Sequence, residues 1–215
     1  MSNKIVTILL ALALTSASYA GVWGNWEGMP TSGDHWVDWS NSGAAIETLP
    51  AMYAANTSWS TLGSQSLQLT KNGWAQTLSI KLEYWAGGNA DFLANNKIEF
   101  DWAVPNLING GGWGKIENVT LNASGWGWSG LSNSTFMTGL WAGSGTVAKH
   151  IVIDYSAAKA LVTATATTGY IELIITTNND SVQNQMYFDN FKLTPEPATM
   201  GLLGLGGLAL IRRKR

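Results

Sequence analysis

Residues 98–104 read Ile98-Glu99-Phe100-Asp101-Trp102-Ala103-Val104, with an apolar side chain at every second position and the acids Glu99 and Asp101 between them. Successive side chains of a β-strand point to opposite faces, so this stretch predicts a strand with one buried and one solvated face. The same period of two recurs in both directions along the chain. Ile80, Leu82 and Tyr84 alternate with Ser79, Lys81 and Glu83, and comparable runs lie at 66–70, 115–121, 149–155, 170–176 and 186–193. Gly, Asn, Ser or Pro bounds each run, as turns between strands require. One short helix is expected around 156–161, with the Ser156 hydroxyl as its N-cap. No fixed-period repeat stands out, which argues against a solenoid or propeller. Roughly eight to ten short strands in one domain predict an all-β fold, a two-sheet β-sandwich of jelly-roll type.

Composition excludes several classes of function. Charged residues are 12% of the 215, about half the roughly 25% usual for a soluble domain, while Gly numbers 24 and Trp 12. Cysteine is absent, which excludes a disulfide scaffold, a thiolate zinc site, an iron–sulfur cluster and a cysteine nucleophile. A formal net charge of -2 argues against nucleic-acid binding by phosphate neutralisation.

The two ends are addresses. Residues 1–20 have the parts of a secretory signal peptide: Lys4 in the n-region, an apolar stretch from Ile5 to Leu14, and Ser18-Tyr19-Ala20 as a small-x-small cleavage site. Ten apolar residues are too few to span about 30 Å of hydrocarbon. At the other end stand Pro195-Glu196-Pro197, an apolar run from Met200 to Ile211 rich in Gly and Leu, and Arg212-Arg213-Lys214-Arg215. As a helix the apolar run reaches roughly 18 Å, short of a full crossing, and the closing cations favour the cytoplasmic side. These three features in this order resemble the PEP-CTERM sorting signal of exopolysaccharide-producing Gram-negative bacteria. The resemblance implies transient insertion of a short C-terminal hydrophobic helix (195–215) in the inner membrane. It further implies an exosortase-type membrane peptidase as partner, processing near Pro195, Glu196 and Pro197, and delivery to the cell surface or extracellular matrix.

Residues 21–194 form the expected β-sandwich domain. Setting aside Lys4, the four tail cations and Glu196 leaves 13 acidic against 7 basic residues, a net charge of -6. Asn25-Trp26-Glu27-Gly28 and Tyr187-Phe188-Asp189-Asn190-Phe191 are similar to the first and last strands of jelly-roll carbohydrate-binding modules. That resemblance implies a structural calcium ion with Glu27 and Asp189 as ligand candidates, an ion that accepts six to eight hard oxygens in irregular geometry. The residues themselves also allow two solvated acids on edge strands.

The case for an enzyme is thin. Asp34, His35 and Asp38 lie within five residues and suit either a metal or general-base site or an ordinary polar loop. His150 opens an apolar run, as a strand-end residue does. There is no Gly-x-Ser-x-Gly, His-Glu-x-x-His or Gly-x-x-x-x-Gly-Lys motif. Glu83, Glu99, Asp101, Glu117 and Glu172 lie on candidate strands, so a glycan hydrolase or lyase with a carboxylate pair stays open as an alternative. Trp113, Trp126 and Trp128 are flanked by glycines, which predicts loops, and an indole on a loop can offer a flat plate to a sugar ring. They are the candidate carbohydrate contacts, with Asn109, Asn118 and Asn122 as polar partners. Their other reading is core packing, expected of Trp59, Trp74, Trp85, Trp102 and Trp141, while Trp36 and Trp39 suit a sheet end. The expected protein is a non-catalytic, exported surface protein that binds extracellular polysaccharide in a biofilm-type matrix. A purely structural matrix component without glycan binding is the alternative.

Overall fold

The computed structural model describes residues 22–27, 36–70, 76–105, 113–131, 140–141, 145–179 and 185–195. The chain enters through β1 (Val22–Gly24), β2 (Trp36–Asp38), β3 (Ala44–Ala45), β4 (Tyr53–Asn56), β5 (Ser66–Thr70) and β6 (Gln76–Lys81). Helix α1 (Gly88–Ala94) leads into β7 (Lys97–Val104), β8 (Trp113–Ala123), β9 (Gly127–Gly130), β10 (Leu140–Trp141) and β11 (Val147–Asp154). A single turn, α2 (Ser156–Lys159), precedes β12 (Ile171–Asn179) and β13 (Gln185–Thr194).

Among the described residues these strands form two antiparallel sheets. The first runs β11-β7-β13-β5-β4, with β1 added on β13, and the second runs β10-β8-β12-β6-β2-β3, with β9 on β8. The alternation at 98–104 does what it predicts. Ile98, Phe100, Trp102 and Val104 all point into the space between the sheets, where Leu78, Ile80, Leu121, Leu173 and Ile175 meet them. At about 25 cal/mol per Å² an indole burying 150–250 Å² contributes roughly 4–6 kcal/mol before its entropy cost, and Trp36 and Trp102 are both sealed in this layer. The expected two-sheet sandwich is the observed architecture.

Local details depart from the sequence reading, each for a physical reason. Trp113 opens strand β8 instead of a loop. Its neighbour Gly114 is required there because a Cβ would lie 2.8 Å from Val104 Cγ2 and 3.0 Å from Met186 Cε, so this glycine admits a close approach of the sheets. Trp128 likewise lies on a strand, β9, and only Trp126 sits in the turn between β8 and β9. Gly125 and Gly127, at φ 85° and 75°, shape that turn. Tyr84 leaves β6 for a 3-10 turn, Leu82–Tyr84. Helix α1 was not expected; it is short and buries Phe92, which stacks on Tyr155 with centroids 4.3 Å apart. At α2, Tyr155 occupies the N-cap with no side-chain bond. The Ser156 N–H and hydroxyl both donate to Asp154 Oδ1 instead, at 2.8 and 2.6 Å. The signal segment, the C-terminal helix, Asp34, His35, Trp74 and Asn109 lie outside the described residues.

Candidate functional site: the outer face of the second sheet

Strand β12 turns Leu173 inward and Glu172 outward. Across the strands Glu172 stands opposite Lys81 of β6 and Asn122 of β8, and Asn122 stands opposite Trp128 of β9. One row of side chains therefore crosses the outer face as Lys81, Glu172, Asn122 and Trp128. At about 4.8 Å per strand it spans roughly 14 Å. Trp39, in the 3-10 turn Trp39–Asn41 that follows β2, reaches over this row and donates its indole N–H to Glu172 Oε1 at 2.6 Å. The Ser79 hydroxyl donates to the same oxygen at 2.9 Å, and Asn122 Nδ2 donates to Oε2 at 3.3 Å. Glu172 is only 4% exposed, and these three donors make its burial tolerable.

Exposed rings surround that fixed carboxylate. Trp128 is 61% exposed, Tyr84 58% and Trp39 38%. The Lys81 ammonium lies over the Trp39 ring at 4.6 Å from its centroid and over Tyr84 at 5.6 Å, both within cation–π range. Below Tyr84, Glu83 accepts the Ile171 N–H at 3.3 Å. Burial pushes the Glu83 carboxyl up, the backbone bonds pull it back in part, and the charge of Glu172 adds to the rise. The turn bearing Trp39 is held from beneath by Asp38. This acid points into the core, fully buried, and accepts from Ser40 N, Asn41 Nδ2, Tyr53 OH and Gln76 Nε2. Asp38 is thus a buried structural acceptor in a chain whose Asp34 and His35 fall outside the described residues.

The three glycine-flanked tryptophans do not converge. Trp128 joins the row above. Trp126 is half-buried and packs on the core. Trp113 stands at the opposite end of β8, nine residues or roughly 30 Å from Asn122 along the strand, with the Lys115 ammonium 6.0 Å from its ring centroid. Lys115 is paired there with Glu117, which also accepts from Asn178. Trp102 is core as expected, Trp85 is half-buried edge-on to Trp23 at 4.9 Å, and Trp59 stacks on Tyr187 at 6.0 Å. Trp39, Lys81 and Tyr84 do not stand out as contacts in the sequence. They come from separate elements, and an exposed aromatic next to a strand has no signature in a linear pattern.

Glu27 and Asp189 both hold the segment 61–65. Asp189 Oδ2 accepts the N–H groups of Thr61 and Leu62 at 2.6 and 2.8 Å, and its Oδ1 accepts Asn190 N at 2.7 Å. Glu27 Oε1 accepts from Ser64 N and Gln65 N, and Oε2 from the Ser64 hydroxyl. The N–H and O–H groups on these oxygens take lone pairs that a cation would otherwise use. Among the described residues no group of three His, Asp or Glu side chains stands together to hold a metal ion. In this structure both acids are bound to protein donors of the segment 61–65. Beside Asp189, Asp101 accepts the Thr61 hydroxyl and Asn190 Nδ2, and lies 2.6 Å from His150 Nδ1. Glu99 and Asp101 do share the outer face of the first sheet, but Asp101 is buried in this network and not solvated. His150 lies in the middle of β11, not at a strand end.

Residues 193–215 match the model of the PEP-CTERM protein-sorting motif, which marks the chain as an exported protein. A comparison with curated proteins finds no match. Among solved structures, the chain is similar to the CBM22-1 xylan-binding domain of Paenibacillus barcinonensis, with 15% identity, 84% of this chain and 99% of that one covered, and a TM-score of 0.45. It is also similar to a CBM27-1 module of Caldicellulosiruptor saccharolyticus in complex with mannohexaose, at 17% identity, 67% and 82% coverage and a TM-score of 0.43. A CBM28 module specific for non-crystalline cellulose matches at 13% identity, 83% and 96% coverage and a TM-score of 0.45. Among the described residues no helix is long and apolar enough to cross a membrane.

Proposed function

We propose that the domain binds polysaccharide across the outer face of the second sheet, as an exported surface or matrix protein released from an inner-membrane hook by an exosortase-type peptidase. The observation that carries this reading is the row Lys81–Glu172–Asn122–Trp128 with Trp39 and Tyr84 beside it: three exposed rings around Glu172 and Asn122, which hydrogen bonds hold in place, with Lys81 over two of the rings. Rings of this kind offer apolar plates to the C–H faces of pyranoses, while Asn122 and Lys81 supply donors to hydroxyls. Pre-set side chains lose little entropy on binding. The role proposed is non-catalytic: Glu83 and Glu172, the carboxylates beside Tyr84 and Trp39, serve to accept N–H and O–H donors. Of the three glycine-flanked tryptophans Trp128 serves this face; Trp126 supports its turn, and Trp113 stands apart.

Affinity electrophoresis of the full chain in mild detergent, against neutral and acidic glycans, tests the reading. Retardation that is lost in Trp39→Ala and Trp128→Ala is the expected result, with the melting temperature kept in Trp128→Ala and only slightly lowered in Trp39→Ala, which removes one donor to Glu172. No retardation by any glycan would remove it in favour of a purely structural role. Cleavage is tested by the mass of the secreted chain, which should end near Pro195–Pro197.

A further inference from the structure

Lys81 stands in an unusual position for a lysine on an acidic domain. Its ammonium lies over two exposed rings, Trp39 and Tyr84, and no carboxylate among the described residues lies within 4.0 Å of it. Two acids are close enough to have taken it. Glu172 is its direct cross-strand partner, yet both Glu172 oxygens are occupied by Trp39, Ser79 and Asn122. Glu83 is two residues along the chain and turns its carboxylate to the Ile171 N–H. The structure thus spends neutral donors on the acids and leaves the ammonium over two aromatic faces, with Glu83 near enough to feel its charge but not paired with it. An ammonium has three N–H donors and no acceptor, and cation–π contact satisfies none of them as a hydrogen bond to an anion would.

Resting on the polysaccharide reading above, we propose that this face selects an acidic polysaccharide, whose uronate carboxylate pairs with Lys81 while the sugar ring lies against Trp39 or Tyr84. A neutral pyranose laid against these rings offers the ammonium no anion. A uronate brings the missing acceptor to the ammonium where it already sits. The domain's net charge of -6 opposes a polyanion at long range, but charges more than about 8 Å away are largely screened at physiological salt. The contact is therefore decided locally, by Lys81 against its near acids Glu83 and Glu172, the second only 4% exposed and covered by three donors.

The test uses the full chain in mild detergent and three uronate polymers, alginate, polygalacturonate and β-1,4-polyglucuronate, each beside its fully methyl-esterified form. Binding is read by affinity electrophoresis and by calorimetry. The expected result is binding of at least one acid polymer at least tenfold tighter than its ester. That preference should vanish in Lys81→Gln, persist in Lys81→Arg, and shrink with added sodium chloride, all three proteins melting alike. Equal binding of acid and ester, or a preference that survives Lys81→Gln, overturns the proposal and leaves polysaccharide binding in place. Binding of neutral glycans alone also overturns it. No binding of any polymer, neutral or acidic, overturns both readings together.

Discussion

Trp39 and Glu172 are 133 residues apart in the chain and are joined by an indole N–H to carboxylate hydrogen bond of 2.6 Å. The bond fixes an exposed ring to a buried charge. It ties the short edge of the second sheet, where β2 ends, to β12 near its centre. Trp39→Phe keeps the plate and removes the donor. We expect glycan affinity to fall by about tenfold, with the melting temperature lowered only slightly because Ser79 and Asn122 still hold Glu172. Calorimetry beside thermal melting separates the two effects.

Trp126→Ala and Trp128→Ala should behave in opposite ways. Trp126 packs on the core, so its loss should cost about half of the 3–5 kcal/mol typical of a fully buried aromatic, read from a chemical-denaturation curve. Trp128 is mostly exposed, so its loss should leave that curve unmoved while glycan retardation disappears.

Gly125→Ala tests the turn that presents Trp128. Gly125 has φ 85°, and a Cβ there would lie 2.6 Å from Leu161 O and 2.8 Å from Thr163 N. Both the backbone strain and the contact disfavour alanine. The variant should lose about 1–3 kcal/mol of stability and weaken binding with it. An unchanged denaturation midpoint would mean that this turn is looser than its geometry states.

Asp38→Ala should be the most damaging polar substitution. It strands Tyr53 OH, Gln76 Nε2 and Asn41 Nδ2 without their acceptor, and an unsatisfied buried donor costs about 1–3 kcal/mol. Loss of more than about 3 kcal/mol is expected in urea unfolding. Burial, the largest of the causes that hold the Tyr53 hydroxyl above its usual range, remains in the variant.

The segment 61–65 should loosen in acid. Hydrogen bonds from Ser64 N, Gln65 N and the Ser64 hydroxyl hold Glu27 below the usual carboxylate range. Burial pushes Asp101 up, but bonds from Thr61, His150 and Asn190 outweigh it and hold this acid below the range as well. Both bind protons more weakly folded than unfolded, so their stabilisation is present above a pH of about 4. It is lost as the pH falls through their lower folded values. Burial raises Asp189, with the opposite sign: its ionised form is the costlier one in the fold. The clean readout is local. Exchange of the Ser64 and Gln65 amides, corrected for intrinsic rate, should quicken below that pH, and Glu27→Ala should quicken it at neutral pH. Millimolar calcium should not change the melting temperature; a rise abolished by Glu27→Ala would restore an ion to these acids.

Most of the fold is legible in the sequence because its strands are amphipathic. The runs at 66–70 and 98–104 show their inward and outward sides residue by residue, and so does β11, while bulges interrupt the alternation in β8 and β13 and β12 buries Ile174 on its outward side. Helix α1 is hidden: Gly88-Asn89-Ala90-Asp91-Phe92-Leu93-Ala94 is only seven residues and has a single deeply buried ring. The site is legible in fragments. Glu172 stands out as a strand acid, Asn122 as a polar partner and Trp128 as a Gly-flanked ring, but the pairing of β12 with β6 and β8 is long-range information. Trp39 looks like its neighbour Trp36 in the sequence, yet one faces solvent and the other is sealed, because the chain leaves the strand at Asp38. The glycines around Trp113 mislead for a different reason: Gly114 exists to let two sheets touch, not to free a loop.

Strand β13 sits between β7 and β5 in the first sheet and also carries β1 near its C-terminal end. Residue 195 follows it directly. A pull delivered along the chain from Pro195 therefore runs parallel to β13 and perpendicular to its ladder bonds. The rows against Lys97–Ala103 on one side and Leu67–Thr70 on the other share the load in shear and do not open one at a time. A load on the tail enters the first sheet through a strand paired on both flanks, so resistance to such a load is built into the order of the strands.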